Sequence, residues 1–492
     1  MLSSAWSAAL IGVEAVPVEV ETHVRAGLPG YAVVGLPQTT VRESRERVLS
    51  AIRSSGLPIP RGAITVSMAP ADIRKDGALF DLPLALGMLA AGEEDLARAL
   101  SETFLAGELA LDGRLRPVPG ILSIAELAAA RGARLIVPAG NLAEARRVAA
   151  CRSFGADTLA EARGVALGLT AGTEPDYRPP EDQDPGPEPD LSDVGGQAIA
   201  KRALEIAAVG GHHVLLTGPP GAGKTMLASR MPGILSPLTE EEALELSRIY
   251  SVAGMLSHGA AVEHRPFRAP HHSISRAGLI GGGNPPRPGE ISLATHGVLF
   301  LDEFAEFSRD VLESLRQPIE SGVVHIRRAR YSVRFPARVS LVASINPCPC
   351  GHFGTDRCLC DPLSVQRYVG RLSGPIRDRM DLTIGVDAVS WDTLNMRDAD
   401  SASAIVRARV EAARAFAAEQ GRVLPNAMLP DAELRGSLGK GGRTLLRDAV
   451  DRLGLSARGV SRVIRVARSV ADLRASVRVT EACVAEALGY RG

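Results

Sequence analysis

The sequence predicts an α/β protein with a parallel-sheet core, a preceding mixed α/β domain and a helical C-terminal lid. Three observations predict it. The apolar run Val214-Leu215-Leu216-Thr217 leads into Gly218-Pro219-Pro220-Gly221-Ala222-Gly223-Lys224-Thr225, and a helical pattern follows from Met226. That is the strand–GxxxxGK[ST]–helix order of a P-loop. Further on, Gly297-Val298-Leu299-Phe300-Leu301-Asp302-Glu303 is a continuous apolar run ending on two carboxylates. It reads as a buried parallel strand whose C-terminal end meets a ligand. Around these motifs, strand-like runs interleave with helical patterns before about residue 172, and helical periodicity dominates after about 396.

Length and composition narrow the classes. A chain of 492 residues exceeds one hydrophobic core, so two to four domains are expected. Lys+Arg and Asp+Glu both number 56, so attraction to nucleic acid has to come from a local patch. Aromatic residues at 4% argue against base-stacking platforms as the main recognition device. No apolar run is long enough to span a bilayer. Residues 1–10 carry no basic segment ahead of their apolar residues, so a secretory signal is not expected and the cytoplasm is. Of the six cysteines, four crowd between Cys348 and Cys360, a metal-like distribution.

The first domain is expected over 1–172. Strands are expected at 16–23, 31–34, 63–67, 104–106 and 134–137, with helices at 40–55 and 121–130. Pro37, Pro58, Pro60 and Pro70 punctuate the boundaries. Lys75 and Asp76 read most simply as a solvated turn. Residues 173–190 hold six prolines and seven acidic residues against one Arg, so an extended, self-repelling linker is expected there.

The core is expected over 191–395. Residues 193–197, Asp-Val-Gly-Gly-Gln, open a helix reaching Val209. In the P-loop the glycines let backbone N–H groups face phosphate oxygens at a helix N-terminus, whose dipole also favours anions. Lys224 is expected on the β- and γ-phosphates and Thr225 on magnesium; Asp302 holds that magnesium through water, and Glu303 polarises the attacking water. The strand-like run 339–346 ends on Asn346. Between these strands, 323–335 reads as a β-hairpin with Arg327, Arg328 and Arg330 at its tip, a phosphate-gripping device or a merely solvated hairpin. Cys348-Pro349-Cys350 and Cys358-Leu359-Cys360 suit a structural zinc site or four reduced thiols, with His352 as a substitute ligand. His271-His272 lies between the two phosphate motifs and reads as a substrate-facing loop rather than a metal site.

The lid is expected over 396–492. From Arg407 onward it carries 15 Arg and one Lys against nine acidic residues. Ser456 reads as the N-cap of a helix bearing Arg458, Arg462, Arg465 and Arg468 at three- to four-residue spacing. The last three are expected to be inter-subunit or solvated contacts. Cys483 reads as core.

The phrases Gly-Leu-Pro-Gly-Tyr (27–31), Val-Val-Gly-Leu-Pro (33–37), Ala-Pro-Ala-Asp-Ile-Arg-Lys-Asp-Gly (69–77) and Phe-Asp-Leu-Pro-Leu-Ala-Leu (80–86) resemble the N-terminal domain of the YifB/ComM family of magnesium-chelatase-like ATPases. The resemblance covers almost the whole chain. It implies a Lon-protease-like first domain, an AAA+ core and a magnesium-chelatase-type lid. The Lon nucleophile and base positions are occupied by Leu79 and Ile124, which can neither attack a carbonyl nor take a proton, so no proteolysis is expected. In AAA+ terms, residues 193–197 lie beside the adenine, Asn346 matches the first sensor and Arg458 the second, which folds down onto the phosphates. Arg379 matches an arginine finger reaching a neighbouring subunit, whereas Arg377 stands where relatives carry an apolar residue. The hairpin matches the pore hairpin of the helicase branch. The resemblance thus implies ATP, Mg2+, a hexameric ring and a branch-migrating translocase on branched or single-stranded DNA. A metal-chelatase-like motor subunit and a Lon-like protein remodeller without protease activity are the alternatives.

Overall fold

The computed structural model describes residues 2–36, 38–174, 189–256, 262–328, 331–394 and 398–491. Most of the expected linker, Pro37, and the hairpin-tip residue Arg330 lie outside the described residues.

The first domain is built on a seven-stranded sheet. In spatial order the strands are Gly30–Val34, Ala63–Ala69, Glu14–Arg25, Leu2–Ile11, Thr103–Leu105, Arg134–Pro138 and Arg152–Ala156. The five expected strands form, within a few residues of the expected ends. Leu2–Ile11, which the sequence reading did not anticipate, pairs antiparallel with Glu14–Arg25, Leu2 opposite His23 and Ile11 opposite Glu14. Its Ser/Ala composition hides it. Ser3 and Ser7 point inward, and their hydroxyls donate to the carbonyls of Gly87 (2.6 Å) and Leu105 (2.8 Å), so both of these buried hydroxyls are satisfied.

Helix Asp81–Ala90 is buried along its whole length between this sheet and helix Thr39–Ser54. Its first carboxylate, Asp81, pairs with Arg47 Nε at 2.9 Å and accepts from the Leu109 N–H at 3.2 Å. Burial pushes the Asp81 carboxyl up, against the pull of Arg47. Lys75 corrects the expectation of a solvated turn. Its side chain is fully buried, its ammonium donates to the Pro70 carbonyl, and burial pulls it below the usual lysine range. The hydrophobic methylenes and one carbonyl explain its burial better than any charge pair does. Leu79 and Ile124 are buried in the apolar core, as inert as their side chains require.

The second sheet has five strands, all parallel, in the order Phe267–Arg268, Val298–Leu301, Ser340–Ile345, Val214–Thr217 and Leu382–Gly385. Thr217 is level with Ile345, and Leu301 with Ala343. Parallel register therefore delivers Gly218, Asp302 and Asn346 to one edge of the sheet, where α/β folds bind ligands. Helices Ala198–Gly210 and Lys224–Ile234 share one core cluster with the lid helices Ser403–Glu419, Lys440–Leu453, Ala457–Leu473 and Glu481–Gly489. Cys483 is fully buried in that cluster.

The first domain is seated on the second. The Gly120 N–H donates to the Ser251 carbonyl at 3.1 Å, and Arg248 pairs with Glu126 at 2.9 Å. The Ser251 hydroxyl donates to buried Glu144, whose carboxyl is pushed up by burial. Ile11 and Val13, at the tip of the first ribbon, pack against the cluster holding Val324, Val333 and Phe335. The base of the basic hairpin is thereby clamped between the two domains.

Candidate active site

The P-loop is held open by its backbone. Gly221 and Gly223 have φ of 77° and 91°, a left-handed conformation that side chains rarely adopt. Gly218 is required for a different reason: a Cβ there would collide with the Val386 carbonyl. Pro219, Pro220 and Ala222 fill the rest of the loop, and Gln197 braces it by donating to the Ala222 and Asp387 carbonyls at 3.4 and 2.6 Å.

Lys224 is 7% exposed and lies along the loop. Its ammonium donates to the carbonyls of Gly218 (2.6 Å) and Pro219 (2.9 Å) and to Asn346 Oδ1 (3.0 Å). Burial lowers its pKa, against the opposing pull of Asp302 and Glu303. The Thr225 hydroxyl donates to Asp302 Oδ2 at 3.0 Å. Asp302 Oδ1 accepts from the Ser344 hydroxyl and, at 3.0 Å, from the Glu303 N–H. Glu303 adopts φ 51°, which turns its side chain out of the strand line, and that side chain is 54% exposed. Lys224, Thr225, Asp302, Glu303 and Asn346 therefore converge at one sheet edge.

This set fits a magnesium nucleotide. A left-handed glycine cradle exposes N–H groups, a desolvated ammonium lies beside it, and a hydroxyl–carboxylate pair offers oxygen ligands to a hard cation. Ser344 escaped the sequence reading. Its signal was its place two residues before Asn346, on the same face of the strand.

Two expected site residues stand elsewhere. Asp381 immediately precedes strand Leu382–Gly385, whose end is level with Thr217, so it marks the sheet edge opposite the P-loop, about 16 Å away at about 3.3 Å per residue. Arg462 lies 3.7 Å from Asp381, and Arg458 is one turn before it on helix Ala457–Leu473. Burial would raise the Asp381 carboxyl, but His212, His213 and Arg462 hold it at about 2. Arg458 is exposed and, among the described residues, makes no hydrogen bond or ion pair. Its helix is tied through Arg462 to Asp381 at the far edge. Ser456 caps that helix as expected, accepting from the Gly459 N–H at 3.1 Å.

Arg379 belongs to the same far edge. It is buried, pairs with Glu320 at 2.5 Å and donates to the carbonyls of Arg316 (3.2 Å) and Pro375 (2.5 Å). The outward reach expected of it is not the conformation it adopts; Arg377, two residues earlier, is the exposed one. Arg465 and Arg468 are also not solvated. Arg465 reaches Asp431 at 3.3 Å, and Arg468 is buried against Asp472 at 2.9 Å. Helix amphipathicity turned them inward against carboxylates within the lid.

Strands Val323–Arg328 and Tyr331–Pro336 form the expected hairpin, with His325 opposite Arg334 and Arg327 opposite Ser332. Val324, Ile326, Val333 and Phe335 are buried, while His325, Arg327, Ser332 and Arg334 face outward. Arg334 thus extends the basic face that the sequence reading confined to the tip.

The four cysteine sulfurs lie within 4.8 Å of one another. Cys348 Sγ is 3.4 Å from Cys350 and 3.9 Å from Cys358, and Cys350 is 3.8 Å from Cys358. Zinc–sulfur bonds of about 2.3 Å at tetrahedral angles place sulfurs about 3.8 Å apart. Backbone N–H groups, that of His352 foremost and then Leu359, draw the Cys350 thiol down to about 6. Cys360 completes the group. Gly351, inside the clamp, lies directly on Pro220, where any Cβ would collide, so the cluster backs the P-loop.

The family described as magnesium chelatase, subunit ChlI, matches residues 190–394. The family described as subunit ChlI of Mg-chelatase matches 20–141, and the subunit ChlI C-terminal family matches 400–491. Protein YifB of Escherichia coli is 44% identical, covering all of this chain and 97% of its own length. Competence protein ComM of Haemophilus influenzae is 43% identical, again over all of this chain and 97% of its own. Lon protease 2 of Bacillus subtilis is 28% identical over 29% of this chain and 27% of its own.

Proposed function

Since the chain belongs to the YifB/ComM family of magnesium-chelatase-like AAA+ ATPases, we propose that it is a homohexameric ATP-driven motor that translocates on branched or single-stranded DNA. One observation carries this reading: the phosphate-site residues and Arg379 lie at opposite edges of one sheet. A chain built this way completes its site only when a second copy brings its far edge to the P-loop.

In that arrangement bound ATP–Mg2+ supplies the phosphoryl group and the cation. Lys224 holds the phosphates, Thr225 and Asp302 hold the cation, and Glu303 takes the proton of the attacking water. Asn346 fixes Lys224 and the water. Arg379 of the adjoining copy, after leaving half-exposed Glu320, meets the charge that develops on the transferring group, and Arg458 approaches from the same side.

The hairpin supports DNA as the load. Its outward arginines can neutralise phosphates without reading sequence, which suits a translocase. Replacing Arg327, Arg328 and Arg330 together by Ala is expected to weaken DNA binding and reduce the slope of log K against log salt by about two to three. DNA-stimulated ATPase that is unchanged in this variant removes the hairpin from the mechanism.

The cysteine cluster is assigned to structural zinc on its sulfur spacing. Elemental analysis is expected to give about one zinc per chain, lost in Cys348→Ser/Cys358→Ser protein together with much of its ATP affinity. Metal-free wild-type protein with full ATP affinity overturns the assignment.

A further inference from the structure

Among the described residues, strands Val323–Arg328 and Tyr331–Pro336 pair only with each other and join neither of the larger sheets. A two-stranded ribbon is marginal in water by itself, so its stiffness comes from whatever packs on its apolar face. Val324, Ile326, Val333 and Phe335 supply that face, and Arg327 and Arg334 stand on the other.

Part of the packing comes from the first domain. The turn between strands Leu2–Ile11 and Glu14–Arg25 sets Ile11 and Val13 against the cluster that holds those four side chains. Gly12, between them, has φ 68° and lies against the hairpin backbone. A Cβ there would stand 2.7 Å from Val333 Cγ1 and 3.0 Å from the Arg334 carbonyl oxygen. Conformation and clearance both require glycine at this point.

The turn is itself held from behind. The Val13 carbonyl accepts from the buried Ser123 hydroxyl at 2.7 Å. Leu10 lies directly on Gly120, where a Cβ would come within 2.3 Å of its Cδ1. Gly120 and Ser123 open helix Ile121–Ala130, which is seated on core helix Glu240–Ala253 through the Gly120 N–H and the Arg248–Glu126 pair. Near its other end the core helix grips His296, whose Nε2 is 2.5 Å from Glu245 Oε2, two residues ahead of strand Val298–Leu301. Close-packed contacts therefore run from the Arg334 backbone through the first domain to the ATPase core, and dense interiors of this kind pass on displacement.

We propose that the turn at residues 11–13 gives the first domain a mechanical function: it braces the basic hairpin, so that force on the hairpin's arginines reaches the core instead of bending the hairpin. The identity of the load as DNA rests on the function proposed above; the bracing itself does not.

The test joins hydrogen exchange with steady-state ATP hydrolysis, both on the full-length protein. Gly12→Ala forces a Cβ against Val333 and Arg334, and Val13→Ala trims the apolar contact without straining the turn. In both variants the amides paired between the two hairpin strands are expected to exchange about tenfold faster, as local opening becomes easier. Exchange within the pair Leu2–Ile11 and Glu14–Arg25 should stay at the wild-type rate. Stimulation of ATPase by a four-way junction is expected to fall about threefold or more, with DNA-free kcat and KM unchanged. Should Gly12→Ala loosen the first domain as a whole, Val13→Ala decides. Wild-type exchange in the hairpin of Val13→Ala protein overturns the brace. Faster exchange with undiminished stimulation overturns its part in passing load to the core. If the wild-type ATPase ignores the junction, the DNA reading fails, and exchange in the hairpin still decides the brace.

Discussion

Glu303→Gln protein is expected to bind ATP as tightly as wild type and to hydrolyse it about 10²- to 10⁴-fold more slowly, the usual contribution of a positioned general base. The amide keeps the shape of the side chain but cannot take the water's proton. The cradle is untouched, because Lys224 is bonded to Asn346 and to loop carbonyls, Thr225 to Asp302, and Asp302 to Ser344, none of them through the Glu303 carboxylate. Nucleotide binding and turnover should therefore separate cleanly, trapping an ATP-bound assembly. Hydrolysis at the wild-type rate would place the base elsewhere.

Arg379→Ala is expected to lower turnover about a thousandfold, at the lower end of what an arginine finger supplies, with ATP affinity nearly unchanged. A decisive form of the experiment mixes two inactive proteins. In a ring containing both Glu303→Gln and Arg379→Ala subunits, some interfaces combine an intact Glu303 with an intact Arg379. Activity should return on mixing. Its absence, with mixed assembly demonstrated, contradicts a site shared between copies. Arg377→Ala is the companion measurement: Arg377 is exposed while Arg379 is paired with Glu320. A collapse of activity in Arg377→Ala alone would transfer the finger to that residue.

Much of the site was legible because chemistry and sheet geometry coincide. Apolar runs ending on Thr217, Leu301 and Ile345 announce parallel strands, and parallel strands present their following residues together. Gly218–Thr225, Asp302, Glu303 and Asn346 could be placed by that logic alone. The hairpin was readable from alternation, although its true outward face includes Arg334. What failed was the assignment of burial to charges. Lys75 looks like a turn residue, yet it is wholly buried, since a lysine stem can be covered when one carbonyl receives its head. Arg468 looks like a solvated helix face, and Asp472 four residues later turns that face inward.

The position of Arg458 was hidden for a different reason. Sequence spacing places it on a capped helix but says nothing of which sheet edge anchors the helix. Asp381 and Arg462 settle that by a contact between residues far apart in the chain. Leu2–Ile11 shows the same limit, because its register depends on a ribbon partner and on carbonyls of Gly87 and Leu105 distant in sequence. The contact of Gly12 with Val333 and Arg334 likewise joins a turn and a hairpin that no motif connects.

Hydrolysis as proposed requires a site completed by a second copy and driven by DNA at the hairpins. The most direct measurement is specific ATPase activity against protein concentration, with and without a four-way junction, under conditions where assembly is followed by light scattering. Little activity is expected in the dilute monomer, with a rise that tracks assembly and a further increase with the junction. Specific activity that is independent of concentration and indifferent to DNA contradicts it.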